Sequence, residues 1–420
     1  MKAALKKYYH WIIAAAVLLE LFIYGGIANN LNSLFVIPVT EGLQITRTSF
    51  SLAFLLRSLT AFISTFFSGI ALRRYGYKKC VGVLLITGGL AFFLLSGSKN
   101  LPMLCLGAGI LGLADGFCST AGASCIINNW FHRHRGTVFG CVTAATGLGG
   151  SVICIVLTGI MDGSGWEAAY LCCGILLLGL SVAIWLLIKD RPENMGLKPY
   201  GEGELHKVKE KKQSNFWEGY SLQELYRKPF FYMLLIGTVM SCFFVYMPFT
   251  TVVPHLQDCG LTLQQATSMQ SVMLLALAAS KLLMGILCDK IGAKLVTILC
   301  FVCGILSMVC MAMANSLVLA AVGVVILAVA LTTTALTIPL LTTELLGYKG
   351  QTVCVGICIA MVSVGSMLHG PVVQSTFDTF GTYRPAYWAA AIGLVFVIFM
   401  YLLMYWLADR DKKKTFAEQK

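Results

Sequence analysis

The sequence predicts an all-α membrane protein with twelve transmembrane helices in two pseudo-symmetric six-helix bundles, and three observations support this. First, 58% of the 420 residues are hydrophobic and only 12% are charged, which is too little charge to cover a soluble surface. Second, apolar runs of about 20 residues recur along the chain, each long enough to cross ~30 Å of hydrocarbon as a helix. Third, segment 284–295 echoes segment 68–79, and internal repeats of this kind are typical of transporters.

The apolar runs locate the helices, because backbone amides in lipid must be satisfied within their own segment and these runs do not alternate as barrel strands do. The predicted helices are residues 11–40, 49–72, 80–98, 101–128, 136–161, 168–188, 229–257, 264–288, 294–313, 316–343, 350–376 and 384–408. The predicted domains are an N-terminal bundle (1–188), a cytoplasmic linker (189–228), a C-terminal bundle (229–408) and a cytoplasmic tail (409–420).

The net charge of +12 indicates orientation and not a nucleic-acid partner. Most of the 31 Lys and Arg lie in loops on one side of the predicted membrane, and such loops face the cytoplasm. We therefore expect a multi-pass protein integral to the plasma membrane, with both termini cytoplasmic. The basic N-terminus continues into a full-length apolar span, which favours an uncleaved first helix over a signal peptide. The expected oligomeric state is a monomer in the lipid bilayer.

The sequence offers no chemistry for catalysis. Nearly all of the 16 cysteines fall inside predicted helices, where cysteine is a small packing residue. The chain contains no HExxH, no GxSxG and no Gly-rich phosphate-binding motif ending in Lys and Ser or Thr. We predict no enzyme activity, no cofactor and no metal site, while a sensor that does not transport stays open as an alternative.

Five ionisable residues inside predicted membrane helices are weighed as functional candidates, because burying such groups is costly: Glu20, Arg57, Asp115, Lys281 and His369. At 1.5 Å per residue from the inner helix ends, Arg57 lies about 22 Å and Asp115 about 21 Å deep. Their equal depth predicts an ion pair in the first half. That pair is either a static structural contact or one that opens when a proton or the substrate competes for one member.

We predict that Lys281 anchors the substrate anion, because an ammonium attracts a carboxylate strongly in a low-dielectric cavity. The alternatives are snorkelling toward the inner surface and pairing with a structural partner. The equivalent position in the first half is Thr65, so the fold does not itself demand a cation there. Glu20 and Asp115 are the predicted proton-coupling residues, since carboxyl groups held away from water bind protons more readily.

Neutral polar residues complete the predicted substrate site. Asn29 and Asn30 follow a glycine pair in the first helix and either line a cavity or form hydrogen bonds between helices. A mild break of this helix is expected near that pair. Tyr246 belongs to an aromatic stripe over 243–249, and His369 either binds substrate or is a packed, hydrogen-bonded residue.

The repeated segments carry a recognisable motif. Its paired positions are Gly69 with Gly285, Arg73 with Asp289, and Gly76 with Gly292. With twelve helices and a central cytoplasmic loop, the chain resembles the major facilitator superfamily, whose signature at these turns is Gly-xxx-Asp-Arg-x-Gly-x-Lys. The resemblance implies the major facilitator fold, alternating access and a conformational latch formed by the motif acid. Arg73 stands where the family usually has Asp, so the resemblance implies this latch for Asp289 and leaves the first half open.

Further stretches are similar to the monocarboxylate porter and oxalate:formate antiporter branch. They are Trp130-Phe131…Arg135-Gly136, 190–199, Lys281…Gly285…Asp289 and 377–383. In oxalate:formate antiporters a cation on helix 8 is matched by a Lys on helix 11. Lys281 fits the first position, but the predicted helix 11 contains no Lys, which implies a substrate with one carboxylate. We expect a secondary transporter of a small organic anion, a monocarboxylate, that works by proton coupling or anion exchange. The alternative is an efflux pump for amphipathic compounds.

Overall fold

The computed structural model describes residues 8–131, 135–200, 220, 222–314, 317–334, 341–342, 345 and 351–418. Within those ranges 89% of the residues are helical, there is no strand, and one bridge pairs Phe131 with Tyr200. The predicted all-α fold class is therefore confirmed.

The helices follow the predicted spans closely. In chain order they are α1 (Tyr9–Leu43), α2 (Arg47–Tyr75), α3 (Tyr77–Ser96), α4 in two parts (Leu101–Asp115 and Thr120–Trp130), α5 and α6 (together Arg135–Leu187), α7 (Pro229–Asp258), α8 (Leu263–Ile291), α9 (Ala293–Ala312), α10 (Leu317–Thr332), α11 (Gln351–Phe380) and α12 (Arg384–Glu418). α5 and α6 meet at Gly165, whose φ of 82° and ψ of 173° are not helical. α12 runs on through most of the predicted tail.

Length and composition make these helices suitable for a membrane. Eight segments of the described chain are long and apolar enough to span, and one of them, Thr137–Leu187, contains both α5 and α6. Large apolar side chains also lie on the outer surface; Phe66 and Leu186, for example, are each 74% exposed. Such surfaces are unfavourable in water and suit a hydrocarbon solvent.

α1 is irregular in its middle. Leu21–Gly25 form a π-helical turn, and the helix breaks at Leu31 before resuming at Asn32. The glycine pair lies against α5, where a Cβ on Gly26 would stand 2.7 Å from the backbone nitrogen of Gly150. Close packing therefore requires glycine here, and the irregularity expected near the pair is confirmed.

The chain divides into two compact units. Unit 1 contains Met1–Asn215 and Gly260–Ala278, and unit 2 contains Phe216–Cys259 and Ala279–Lys420. In unit 1, α2 packs on α4 and α1 packs on α5, while α3 packs on the continuous α5–α6 segment. In unit 2, α7 packs on α11 and α12, and α9 packs on α10 and α12. This grouping assigns the first part of α8 to unit 1, whereas the boundaries 1–188 and 229–408 stay a prediction.

The repeat seen in the sequence has a matching backbone. Gly76 and Gly292 immediately precede α3 and α9, with φ/ψ of 86°/157° and 85°/155°. Side chains rarely adopt this conformation, so each turn requires glycine. The two halves thus use the same turn to connect consecutive helices.

Candidate functional site

The centre of unit 1 contains the predicted ion pair between α2 and α4. Arg57 Nε donates to Asp115 Oδ2 at 2.7 Å and Nη2 donates to Oδ1 at 2.9 Å, so the pair is bidentate. Arg57 is 5% exposed. Paired carboxylate and guanidinium planes of this kind form the stronger class of charge-assisted hydrogen bonds. The predicted pairing is confirmed.

α1 completes the surroundings of this pair. Arg57 Nη2 also donates to the carbonyl of Ala28 at 2.7 Å, and Nη1 donates to Asn32 Oδ1 at 3.2 Å. Ala28 lies in the last turn before the break at Leu31, where carbonyls lose their intrahelical partners. The last turn before the break in α1 therefore supplies one of the acceptors for the Arg57 guanidinium.

Tyr24 adds a third bond to the carboxylate. Its hydroxyl donates to Asp115 Oδ1 at 2.6 Å. Tyr24 lies in the π-helical turn of α1, and this hydrogen bond connects that turn to α4. Asp115 accordingly accepts three hydrogen bonds and neutralises Arg57 in this state. Binding of a substrate anion by Arg57 stays a prediction, and it requires this pair to open.

A second acid, Glu20, lies on α1 one turn before Tyr24. Glu20 is 0% exposed, and its Oε2 accepts a hydrogen bond from the hydroxyl of Tyr77 at the start of α3. The other oxygen, Oε1, has no hydrogen-bond partner in the described chain. A buried carboxyl group with one unsatisfied oxygen is costly in a structure and calls for an explanation.

The side-chain amide of Asn30 on α1 lies between helices. Asn30 Nδ2 donates to the carbonyl of Thr146 on α5 at 2.8 Å and to that of Gly25 at 3.4 Å. This geometry favours the interhelical hydrogen-bonding alternative over cavity lining for Asn30. The side chain of Asn29 lies outside the described residues.

In unit 2 the predicted residues lie on three helices. Lys281 is half-buried on α8, within the span Leu263–Cys288. Tyr246 on α7 and His369 on α11 lie together, with ring centroids 5.9 Å apart. The Tyr246 hydroxyl also lies 3.1 Å from Thr334 Oγ1. The structure thus brings Tyr246 and His369 into one cluster and adds Thr334, which the sequence did not single out.

The first copy of the repeated motif is held by a residue from outside it. Asp190, at the end of α6, accepts the backbone N–H of Lys78 at 2.7 Å, and its carboxylate lies against Gly76. An acid at the first turn of α3 stabilises that helix end. The side chains of Arg73 and Asp289 lie outside the described residues, so the latch stays a prediction.

Several of these contacts were missed from the sequence for understandable reasons. Tyr24 stands in an apolar stretch where an aromatic residue normally packs, Tyr77 stands in the basic turn of the repeated segment, and Asp190 is 112 positions from Lys78. The only available signals were the acids themselves, since a buried acid requires a donor. Within the described ranges no group of three or more His, Cys, Asp or Glu is suited to hold a metal ion.

Comparison with known proteins identifies the family. The model for the Major Facilitator Superfamily matches residues 17–353 and 234–420. The uncharacterized MFS-type transporter YhjX of Escherichia coli is 28% identical over 293 residues, 67% of each chain. The membrane sensor protein UhpC of Salmonella typhimurium is 28% identical over 192 residues, 46% of this chain and 42% of its own length.

A solved structure supports the fold at low sequence identity. A bacterial homolog of the human lysosomal transporter Spinster, in an inward-facing and unoccupied conformation, has a TM-score of 0.69 at 16% identity and covers 97% of this chain and 98% of its own. The relatives do not confirm the monocarboxylate porter and oxalate:formate branch. They are membrane transporters and a membrane sensor, not enzymes, and they confirm an integral membrane protein with a small-molecule substrate. The chain belongs to the Major Facilitator Superfamily.

Proposed function

We propose that the protein is a secondary transporter of a small organic anion with one carboxylate, working by alternating access. The observation that carries this proposal is the position of Lys281, a cation within the membrane span Leu263–Cys288 of α8. A cation in a membrane helix marks a substrate or ion pathway far more often than a packing position.

Lys281 serves as the anchor for the substrate carboxylate. An ammonium and a carboxylate attract each other several-fold more strongly in a partly dehydrated site than in water. The side chain is half-buried, so it lies neither in bulk water nor in a sealed core. One anchoring cation suits a monocarboxylate better than a dianion, which would require a second positive charge.

Proton coupling, in this proposal, belongs to the two acids of unit 1. Asp115 is held by three hydrogen bonds, so it exchanges a proton only when Arg57 and Tyr24 release it. Glu20 has one oxygen without a partner in the described chain, and its titratable neighbours include Tyr77 and Cys118. Glu20 is therefore the better candidate for the residue that binds and releases the proton in this state.

Uptake into proteoliposomes tests this function directly. Purified protein is reconstituted and given labelled monocarboxylates and dicarboxylates, each with and without an inward-directed pH gradient. The proposal expects saturable uptake of monocarboxylates that the gradient accelerates, or that internal monocarboxylate accelerates if the mechanism is exchange. Saturable uptake of dicarboxylates alone would overturn it.

Efflux of amphipathic compounds is the second candidate, because aromatic rings follow one another along α7. Phe243 contacts Phe244 at 5.3 Å between centroids, and Tyr246 contacts Phe249 at 5.7 Å. Phe244 is occupied in packing, since its ring lies where a Cβ on Gly393 of α12 would stand. The same vesicles loaded with an amphipathic dye distinguish the candidates, because an efflux pump moves the dye and ignores the carboxylates.

The membrane arrangement is part of the proposal. We place the protein in the plasma membrane as a monomer, with both termini in the cytoplasm, on the strength of the positive loops. In this orientation the turns that contain Gly76 and Gly292 face the cytoplasm.

A further inference from the structure

Unit 2 contains three helix irregularities, of which the two prolines lie at similar depth. Pro248 lies inside α7 and Pro371 inside α11, while residues 333–334 form a π-helical turn directly after α10. A proline inside a helix leaves the carbonyl four residues earlier without its intrahelical donor. From the inner helix ends, Tyr246 and His369 lie about 25 Å and about 27 Å along α7 and α11. Irregular backbone at mid-membrane depth is tolerated where it lines a polar site.

His369 lies among these irregularities with unused hydrogen-bonding capacity. The side chain is 6% exposed, and neither Nδ1 nor Nε2 has a hydrogen-bond partner in the described chain. The carbonyls of Gly365 and Ser366, one turn earlier, face the ring without meeting hydrogen-bond geometry. A neutral imidazole carries one N–H donor and one nitrogen acceptor, so this ring leaves one of each unsatisfied.

The neighbouring hydroxyl groups orient one another. Thr334 Oγ1 donates to the carbonyl of Leu331 at 3.3 Å, which uses its only hydrogen. Tyr246 therefore donates to Thr334 across 3.1 Å and keeps its own oxygen lone pairs as acceptors. The Tyr246 ring is braced by Phe249 on one side and lies 5.9 Å from His369. The cluster of Tyr246, Thr334 and His369 thus offers both a donor and acceptors from a rigid setting.

We propose that this cluster is a subsite for a hydroxyl group on the transported anion, so that the substrate class is a hydroxy-monocarboxylate. The inference rests on the proposed function, in which Lys281 binds the carboxylate. A hydroxyl donates once and accepts as well, which complements the imidazole and the Tyr246 oxygen. The ring is occluded in this structure, and the subsite becomes accessible when the helices part during the transport cycle.

The positions of the two groups along their helices indicate the kind of molecule. Counted from the outer helix ends at 1.5 Å per residue, Lys281 is about 10 Å further in than His369. A lysine side chain extends part of that distance, so the hydroxyl lies several bonds from the carboxylate. The subsite accordingly favours a hydroxyl at the far end of a short chain over one beside the carboxylate.

Competition between matched acids tests the subsite in reconstituted vesicles. The probes are butyrate, 3-hydroxybutyrate and 4-hydroxybutyrate, and the measurement is the KM of each. The wild type is expected to prefer 4-hydroxybutyrate to butyrate by about tenfold, the value of one buried hydrogen bond to a polar group. His369→Leu is expected to abolish this preference, so that the KM values of butyrate and 4-hydroxybutyrate become equal within about twofold.

Two further variants keep the test decisive if His369→Leu inserts poorly. Tyr246→Phe removes one acceptor and is expected to reduce the preference, while His369→Gln retains a donor and an acceptor and keeps part of it. The control is His255→Gln, because His255 is also buried in unit 2 but already bonds the carbonyl of Met311 at 3.1 Å. That variant should leave the preference intact.

The outcomes separate the two proposals. Transport of butyrate without a preference for either hydroxy acid, or a preference that survives both His369→Leu and Tyr246→Phe, overturns the subsite and leaves the transport function standing. Absence of any carboxylate transport by the wild type overturns the function and the subsite together.

Discussion

Arg57 and Asp115 form a bidentate ion pair between α2 and α4, with nitrogen–oxygen distances of 2.7 and 2.9 Å. Tyr24 from the π-helical turn of α1 donates a further hydrogen bond to the same carboxylate. The pair therefore ties three helices of unit 1 together. Whether it also moves during transport is a question that substitution can answer.

Removal of one partner of this pair is expected to destabilise the protein strongly. Arg57→Leu leaves a buried carboxylate without its counter-ion, which costs about 3–5 kcal/mol in comparable pairs. The double variant Arg57→Leu/Asp115→Leu removes both charges and should recover most of the thermal stability in detergent. Uptake assays on the double variant then decide the role, because wild-type transport would mean that the pair is only structural.

The Tyr77 hydroxyl is expected to stabilise the protein through its hydrogen bond to Glu20. Tyr77→Phe leaves Oε2 of Glu20 without the donor that it has in this structure, at a cost of about 1–3 kcal/mol in the free energy of unfolding. Tyr24→Phe is the matched control, because Asp115 keeps both bonds to Arg57 and should be affected less. An equal decrease in melting temperature in Tyr77→Phe and Tyr24→Phe would contradict the expectation that Tyr77→Phe is the more destabilising.

Glu20→Gln is expected to uncouple transport from the proton gradient. The amide cannot bind and release a proton, yet it keeps an oxygen that can accept the Tyr77 hydroxyl. Carboxylate uptake should then proceed at one rate with and without an imposed pH gradient. Retention of full gradient stimulation would exclude Glu20 as the coupling residue and direct attention to Asp115.

The glycines of the repeated motif are expected to differ in how well they tolerate substitution by alanine. Gly76→Ala forces a side chain onto a backbone with φ of 86° and places its Cβ 2.5 Å from the Asp190 carboxylate, a combination expected to cost about 1–3 kcal/mol. At Gly69 nothing lies within 4 Å of an added Cβ, so Gly69→Ala should keep wild-type stability. Thermal unfolding of the two variants checks this, and equal destabilisation would refute the turn geometry.

Cys259 provides a test of orientation. It is exposed just beyond α7, on the side opposite the basic loops, and a membrane-impermeant maleimide should reach it from outside in a single-cysteine variant. Desolvation raises the pKa of its thiol, with Arg384 opposing and Asp258 adding to the shift. Because the thiolate is the reactive form, labelling should accelerate as the pH rises from 7 to 9. A cysteine introduced by Lys412→Cys is the cytoplasmic control. If the outside reagent labelled this cysteine and not Cys259, the orientation would be the opposite of the one proposed.

The sequence predicts most of the architecture, because membrane helices are recognisable from the length and apolar composition of their segments. It also predicts the Arg57–Asp115 pair, since two opposite charges at the same depth in a membrane have few other partners available. The partners supplied by neutral residues were not predictable in this way. Tyr24 bonds Asp115 from within a π-helical turn, and no residue pattern in the sequence specifies that turn.

Contacts between distant segments account for the remaining differences. Asp190 was assigned to a polar linker, yet it binds the first turn of α3 through the backbone N–H of Lys78. Thr334 is the last of three consecutive threonines after an apolar run, and its role depends on where it meets Tyr246 of α7. Such pairings follow from tertiary packing, and hydrophobic periodicity and local motifs carry no information on which distant residues meet.

The affinity of the Lys281→Ala variant for a monocarboxylate tests the central claim most directly. The KM of saturable uptake in proteoliposomes is measured for wild type, Lys281→Ala and Lys281→Arg at equal protein density. Loss of a charge-assisted contact is expected to raise the KM at least about tenfold in Lys281→Ala, with substantial recovery in Lys281→Arg. Saturable monocarboxylate uptake by Lys281→Ala at the wild-type KM would contradict the assignment of Lys281 as the anion anchor.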